Sequence, residues 1–403
     1  MSAAPPLTGI RVIDAASIFA GPLIASLMGD FGADVIKIEH PSGDALRKTG
    51  YVKDGAPLWW KVVSRNKRCI TLDLKKGQQI FKRLVKDADV LIENFRPGTL
   101  EKWGIGWEVL SALNPRLIMV RVTGFGQTGP YKDRPGFGTL AEAISGFAHV
   151  TGLPDGPPTL PPFGLADGIA AHYGTFATMF ALYERDAVSK AGGKGSGKGQ
   201  FIDLSIYEPI FALLGYQPTV FDQLGIIQNR TGNRSVSNAP RNAYQTRDGR
   251  WVALSAAAPA IRDRVLTLTG GAAFAADPRF ATAAGRLKYN DEIDAVVGGW
   301  IARHDLNQVI ATFEQVEAAI APVYDIEQIF ADPQYQARAD IIEVPDDELG
   351  KIKMQNVFPF MSRTPGSVRH AGPRLGAHTE EVLCDELGFS REELASLKHE
   401  GTV

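Results

Sequence analysis

Apolar residues follow two alternating rhythms along this chain. Short runs at residues 9–14, 33–39, 69–72, 89–92, 117–122 and 200–204 are dense in Val, Ile and Leu, which predicts buried strands. Between them, residues 22–31 and 77–87 carry apolar positions at three- and four-residue spacing and read as helices. Strand and helix in alternation predict βαβ units, and strands apolar on both faces predict a sheet covered on both sides. The expected fold is α/β, a doubly wound Rossmann-like parallel sheet. The longest helical pattern runs through Leu165, Ile169, Tyr173, Phe176, Phe180 and Tyr183 and predicts a core helix that buries this stripe.

A further helix is predicted at 206–221, after which the chain turns polar through 228–242. It resumes with a strand pair near 244–245 and 251–254, helices near 261–268 and 290–303, and an apolar return at 321–324. The expected organisation is a large domain begun by 1–200, a helix and linker over 201–240, a small α+β domain over 241–320, and a return linker with the C-terminal part of the large domain over 321–403. Residues 190–199 are glycine-rich and basic, but no helix start follows the glycines, so the run reads as a solvated connection rather than a phosphate cradle.

A length of 403 residues permits two domains and a large core. A net charge of -2 gives no electrostatic case for nucleic acid or an anionic membrane, so neither is expected as a partner. Cys69 and Cys384 are too few for a disulfide framework or a cysteine-based zinc site, and no metal is expected. Residues 1–7 show no basic-then-apolar leader, and no stretch approaches the roughly 20 apolar residues of a membrane span. A cytoplasmic protein is expected. The first strand-to-helix turn, residues 15–22, lacks the glycine pattern of a dinucleotide site and the lysine of a P-loop.

Candidate chemistry centres on Asp167, within Phe163-Gly164-Leu165-Ala166-Asp167-Gly168 at the start of the long helix. Unpaired N–H groups and the helix dipole there favour an ionised carboxylate, and Gly168 leaves its approach open. Two readings follow: a helix cap, which is the ordinary use of an acid at that position, or a nucleophile.

Several blocks in fixed order carry a resemblance that spans the chain. Gly9-Ile10-Arg11-Val12-Ile13-Asp14, residues 31–41 (FGADVIKIEHP), 66–75 (NKRCITLDLK) and 93–98 (ENFRPG) resemble the class III CoA-transferases, the formyl-CoA transferase and carnitine CoA-transferase (CaiB/BaiF) family. Asn114-Pro115-Arg116, Gly124-Phe125-Gly126, Arg134-Pro135-Gly136-Phe137, Gly197-Lys198-Gly199-Gln200 and residues 375–388 belong to the same pattern. The resemblance implies transfer of coenzyme A from an acyl-CoA to a free carboxylic acid, with no tightly bound cofactor. It implies a covalent role for Asp167, through an aspartyl anhydride and an aspartyl-CoA thioester. It also implies a large domain closed by both chain ends and an interlocked homodimer.

Carried over by position, the resemblance implies CoA contacts at Phe19, Ala20, His40, Leu72, Asp73, Leu74, Lys75, Asn94, Phe95, Arg96, Lys102, Arg134 and Phe137. Lys75, Arg96, Lys102 and Arg134 are the candidates for phosphate pairing. Phe19 stands where formyl-CoA transferases have glutamine. Ser235, Val236, Ser237 and Asn238 stand where they have a glycine lid, so these four residues are the candidate substrate loop. The family's α-methylacyl-CoA racemases use a histidine where this chain has Phe137, which transfers no proton. His149 and His172 read as packed or capping residues. An acyl-CoA racemase and a non-catalytic CoA-binding module are the alternatives to transfer.

Overall fold

The structure, a computed structural model, describes residues 4–187 and 195–403. Residues 190–194 of the glycine-rich run lie outside them. The chain divides into two units: residues 1–147, 160–216 and 336–403 form the first, and 148–159 and 217–335 the second. Both chain ends therefore enter the first unit.

That unit is built on strands β1 (Arg11–Asp14), β2 (Asp34–Glu39), a short β3–β4 hairpin (Val52–Lys53 and Ala56–Pro57), β5 (Lys67–Thr71), β6 (Val90–Glu93), β7 (Ile118–Thr123) and β8 (Phe201–Ser205). All but the hairpin form one six-stranded parallel sheet of order β5-β2-β1-β6-β7-β8. The order reverses between β1 and β6, as in doubly wound nucleotide-binding sheets. Alternate residues of each strand serve opposite cores, because successive side chains leave a strand on opposite faces. Val12, Val35, Val90, Ile92, Val120 and Val122 pack under helices Ala20–Asp30 and Leu165–Asp186. Ile13, Ile36, Ile70, Leu91 and Met119 pack on the other side with helices Gln78–Lys86 and Trp107–Leu113 and with C-terminal Val382, Leu383, Leu394 and Val403. The C-terminal hairpin β12–β13 (Ile341–Asp346 and Gly350–Gln355) also belongs to this unit.

The Leu165–Asp186 helix is present, but its buried face is not the expected one. Phe176, Phe180 and Tyr183 are exposed, Phe180 and Tyr183 at 67% each, and Leu165, Ile169 and Tyr173 are only partly buried. The packed face is Ala166, Ala170, Ala171, Gly174, Thr178 and Ala181. Small residues win there because the helix lies hard against its neighbours: a Cβ on Gly174 would approach Leu204 Cδ2 to 2.9 Å and the Ile24 side chain more closely still.

The second unit holds β9 (Arg241–Gln245), β10 (Trp251–Ser255) and β11 (Ile320–Pro322), an antiparallel sheet of order β11-β10-β9. Tyr244, Val252 and Leu254 pack with Val265, Ile293, Val297, Val309 and Phe313 from its helices. The helix expected over 206–221 is two, Tyr207–Ala212 and Gln217–Leu224, separated by Gly215 at φ 64°. Among the described residues no helix is long and apolar enough to cross a membrane.

Candidate active site

A cleft of about 290 Å³ opens at the carboxyl edge of the parallel sheet, where the strand order reverses. Crevices form at such points because the connections from adjacent strands depart to opposite faces. Its walls are the turn after β1 (Ser17, Ile18, Phe19, Ala20), the turn after β6 (Asn94, Phe95, Arg96, Pro97), the end of β7 through Gly124, and the loop Lys132–Phe137; Asp167 and Ile206 complete it. Of the residues expected at the site, Phe19, Ala20, Asn94, Phe95, Arg96, Arg134, Phe137 and Asp167 therefore meet around one cleft.

Asp167 lies in the first turn of its helix and does not cap it. The N-cap is Gly164, and the buried Glu142 reaches across so that its Oε1 accepts a hydrogen bond from Ala166 N at 3.2 Å. The capping work is done by Glu142 from helix Gly138–Ile144. Asp167 accepts no hydrogen bond among the described residues. Burial, reinforced by the Glu142 charge, pushes its carboxyl from 3.8 up to about 6. This reverses the expectation that helix-end donors hold it firmly ionised: desolvation and a like charge outweigh the dipole. Burial raises Glu142 as well. Glycine lets the carboxylate sit where it does, since a Cβ on Gly138 would fall 2.9 Å from Asp167 Cγ and closer to Oδ2.

The rest of the cleft is built by close backbone approaches and buried ions. Gly124 and Gly136 cross backbone on backbone, a Cβ on either coming within 3.2 Å or less of the other's main chain, and this pins both ends of the loop carrying Lys132 and Arg134. Arg134 lies over the Tyr131 ring at 3.6 Å. Buried Glu93 accepts from Phe95 N at 2.8 Å and from Arg121 Nε at 2.7 Å, fixing the turn that carries Arg96. The Phe19 ring tilts against Trp59 at 5.4 Å and stands beside Gly164. Asn94 lines the cleft, but its carboxamide is engaged on both sides by Ser17, accepting from Ser17 N and donating to Ser17 O at 2.8 Å each.

Other expected contacts lie along the same sheet edge outside the cleft. His40 follows β2 and Asp73 follows β5, with His40 Nε2 3.9 Å from Asp73 Oδ2. Lys75 and Lys102 are exposed and, like Arg96, Lys132 and Arg134, have no carboxylate within 4.0 Å among the described residues. Leu72 and Leu74 are core side chains of the sheet's second face, so only their backbone is available to a ligand. Ser235, Val236, Ser237 and Asn238 lie in the second unit, where Ser235 Oγ and Ser237 Oγ are 3.1 Å apart. His172 is exposed, its Nδ1 2.7 Å from Gly168 O.

Glu142, Gly138 and the crossing of Gly124 with Gly136 had no part in the sequence reading. Glu142 shows in the sequence as an acid isolated in the apolar stretch 137–148, and Gly124 and Gly136 stand within the blocks that carry the resemblance, though nothing in them shows the crossing. An unpaired carboxylate in a switch-point crevice whose walls also carry Arg96, Lys132 and Arg134 suits an anionic substrate.

The sequence profile of CoA-transferase family III matches residues 7–379. The chain belongs to that family. It is 42% identical over 397 residues to the succinyl-CoA–D-citramalate CoA-transferase of Chloroflexus aurantiacus, covering 98% of this chain and 97% of the relative. It is 29% identical to the formyl-CoA:oxalate CoA-transferase of Bradyrhizobium diazoefficiens, covering 98% and 97% respectively. The crystal structure of a CAIB/BAIF family protein from Brucella suis superposes with a TM-score of 0.83 at 30% identity, over 95% of this chain and 100% of that one. Membership in CoA-transferase family III accords with the α/β sheet and with the resemblance carried by the sequence blocks.

Proposed function

We propose that this CoA-transferase moves coenzyme A between a short dicarboxylic acyl-CoA and a second small acid, with Asp167 as the covalent nucleophile. The observation that carries the reading is the unpaired, half-buried Asp167 carboxylate in the switch-point cleft, its pKa raised to about 6. A carboxylate at that pKa is ionised near neutral pH yet poorly solvated, which favours attack. One Asp167 oxygen adds to the donor thioester carbonyl, the C–S bond breaks, and the CoA thiolate leaves an aspartyl–acyl anhydride. The thiolate then attacks the aspartyl carbonyl, releasing the donor as its free carboxylate and leaving an aspartyl-CoA thioester. The acceptor carboxylate repeats the two steps in reverse. The relative named for succinyl-CoA and D-citramalate supports the dicarboxylic class.

Lys75, Arg96, Lys102 and Arg134 are the proposed phosphate partners. Arg96→Ala is expected to raise KM for acyl-CoA about tenfold with kcat within about twofold, the size of one charge-assisted hydrogen bond; steady-state kinetics against acyl-CoA concentration reads it. Because Asp167 must be ionised to attack, kcat/KM should fall as pH drops through about 6. Glu142→Gln keeps an acceptor for Ala166 N but removes the like charge, so this acid limb should move to lower pH by roughly half a unit. A limb that stays in place would show that Glu142 does not act on Asp167.

The same reading includes the interlocked homodimer, for which Phe176, Phe180 and Tyr183 offer an exposed aromatic stripe. The reaction is tested by incubating the protein with succinyl-CoA and a panel of small acids in deuterated water. New acyl-CoA with no α-deuterium is expected. α-Deuteration without acceptor-dependent exchange would overturn the reading in favour of racemisation, and no turnover with any acid would overturn it outright.

A further inference from the structure

The turn between β1 and the Ala20–Asp30 helix forms one wall of the cleft, and it holds a conformation its own residues resist. Ile18 has φ 68°. A β-branched residue in the left-handed region is a costly outlier, which persists only where the surroundings over-determine it. Three consecutive peptide groups are gripped by side chains, those of Lys37, Asp44 and Asn94 from distant parts of the chain and that of Asp14 from the end of β1. At position 16, Asp14 Oδ1 accepts from the N–H at 3.2 Å and Lys37 Nζ donates to the carbonyl. At position 17, Asn94 takes both the N–H and the C=O. At position 18, Asp44 Oδ1 accepts from the N–H at 3.1 Å.

Two of these grips are one ionic unit. Lys37, with its side chain fully buried, lies 3.2 Å from Asp44 Oδ2 and 3.7 Å from Asp14 Oδ1. Asp14 Oδ2 in turn accepts from Lys67 Nζ at 2.8 Å, and Lys67 donates to Pro22 O at 2.6 Å. Burying so many charges is expensive, and a hydrophobic cluster of equal volume would serve packing as well or better. Burial alone depresses Lys37, yet Asp14, Asp44 and Glu39 reverse that and raise it, so the ammonium stays charged. The residue after the strained position is Phe19, which caps the Ala20–Asp30 helix and sets its ring beside Gly164, the N-cap of the Asp167 helix.

We infer that Lys37, Asp14, Asp44 and Asn94 are positioning residues that hold Ile18 in its left-handed conformation, and so fix Phe19 in the cleft wall beside the start of the Asp167 helix. The inference rests on the proposed role of Asp167 and adds a residue set that never touches the reacting atoms. Its distinctive consequence is coupling to Ile18. Glycine adopts positive φ without penalty, so an Ile18→Gly turn should need the latch far less.

The test is a double-mutant cycle with Lys37→Met and Ile18→Gly, read as kcat and KM for CoA transfer and as hydrogen exchange of the peptide covering residues 15–20. Lys37→Met in the native background is expected to lower kcat about 100-fold, the effect of a small misplacement in a reactive site, and to speed exchange of the turn. In the Ile18→Gly background the same substitution should cost less than about tenfold. If Lys37→Met is not recovered folded, Asn94→Ala, which leaves the buried charges intact, replaces it in the cycle under the same criterion. Equal losses in both backgrounds, in rate and in exchange, would overturn the inference while leaving Asp167 as nucleophile. A wild-type protein that transfers no CoA would overturn the proposed reaction, and the exchange data would still decide the coupling.

Discussion

Asp167→Asn is expected to lower CoA transfer by about 10⁴-fold or more, and at the same time to make the protein more stable at pH 7. The first effect follows because an amide cannot form or exchange the anhydride. The second follows from the site's electrostatics. Burial and Glu142 raise the folded-state pKa of Asp167 from 3.8 to about 6, so the fold disfavours the ionised form. The stabilising contribution of such a group is fully present below its unfolded pKa and is lost as pH rises through about 6. The shift corresponds to about 3 kcal/mol at full value, and partial solvent contact reduces it to about 1–2 kcal/mol. Urea unfolding should therefore find the Asn variant more stable by about 1–2 kcal/mol at pH 7 and nearly indistinguishable at pH 3.5. Equal stability at both pH values would mean that Asp167 is better solvated than the cleft geometry indicates.

Gly138→Ala should have the second largest effect, and through geometry alone. The new methyl would stand 2.9 Å from Asp167 Cγ and closer to Oδ2, so the carboxylate must rotate away from the position it now occupies. Gly138 is the first residue of helix Gly138–Ile144, where alanine is at least as good a helix former as glycine, which limits any loss of stability. A fall of about 100-fold in kcat with nearly unchanged KM for acyl-CoA is expected from misplacing the reacting atom by about 1 Å. Steady-state kinetics with a thermal melt on the same sample separates this outcome from unfolding. A variant with native kcat would show that the present Asp167 rotamer is not the reactive one.

Much of the sheet was legible because parallel strands buried on both faces must be continuously apolar, and Val12 beside Ile13 or Leu91 between Val90 and Ile92 leave no solvent face. Asp167 was legible as an acid at a helix start. Its environment was not, since Glu142 arrives from a different helix and inverts the local expectation for the carboxyl. The Leu165–Asp186 helix misled for a related reason: hydrophobic periodicity weights large side chains, whereas this helix packs through Ala170, Ala171, Gly174 and Thr178 and leaves its rings outside. The resemblance to the family implied a CoA contact at Asn94, and only the folded chain reveals that its amide holds Ser17. The Ile18 residue type does not mark it as left-handed, because its conformation is imposed by four side chains from two strands and two turns.

The most direct test is to trap the intermediate. The protein would be incubated with succinyl-CoA in the absence of acceptor, quenched in acid, digested and analysed by mass spectrometry. The peptide spanning residues 160–185 is expected to carry CoA on Asp167, and the adduct should vanish when a competent acceptor acid is added before the quench. CoA released freely with no adduct on that peptide, at a rate matching turnover, would contradict covalent catalysis at Asp167.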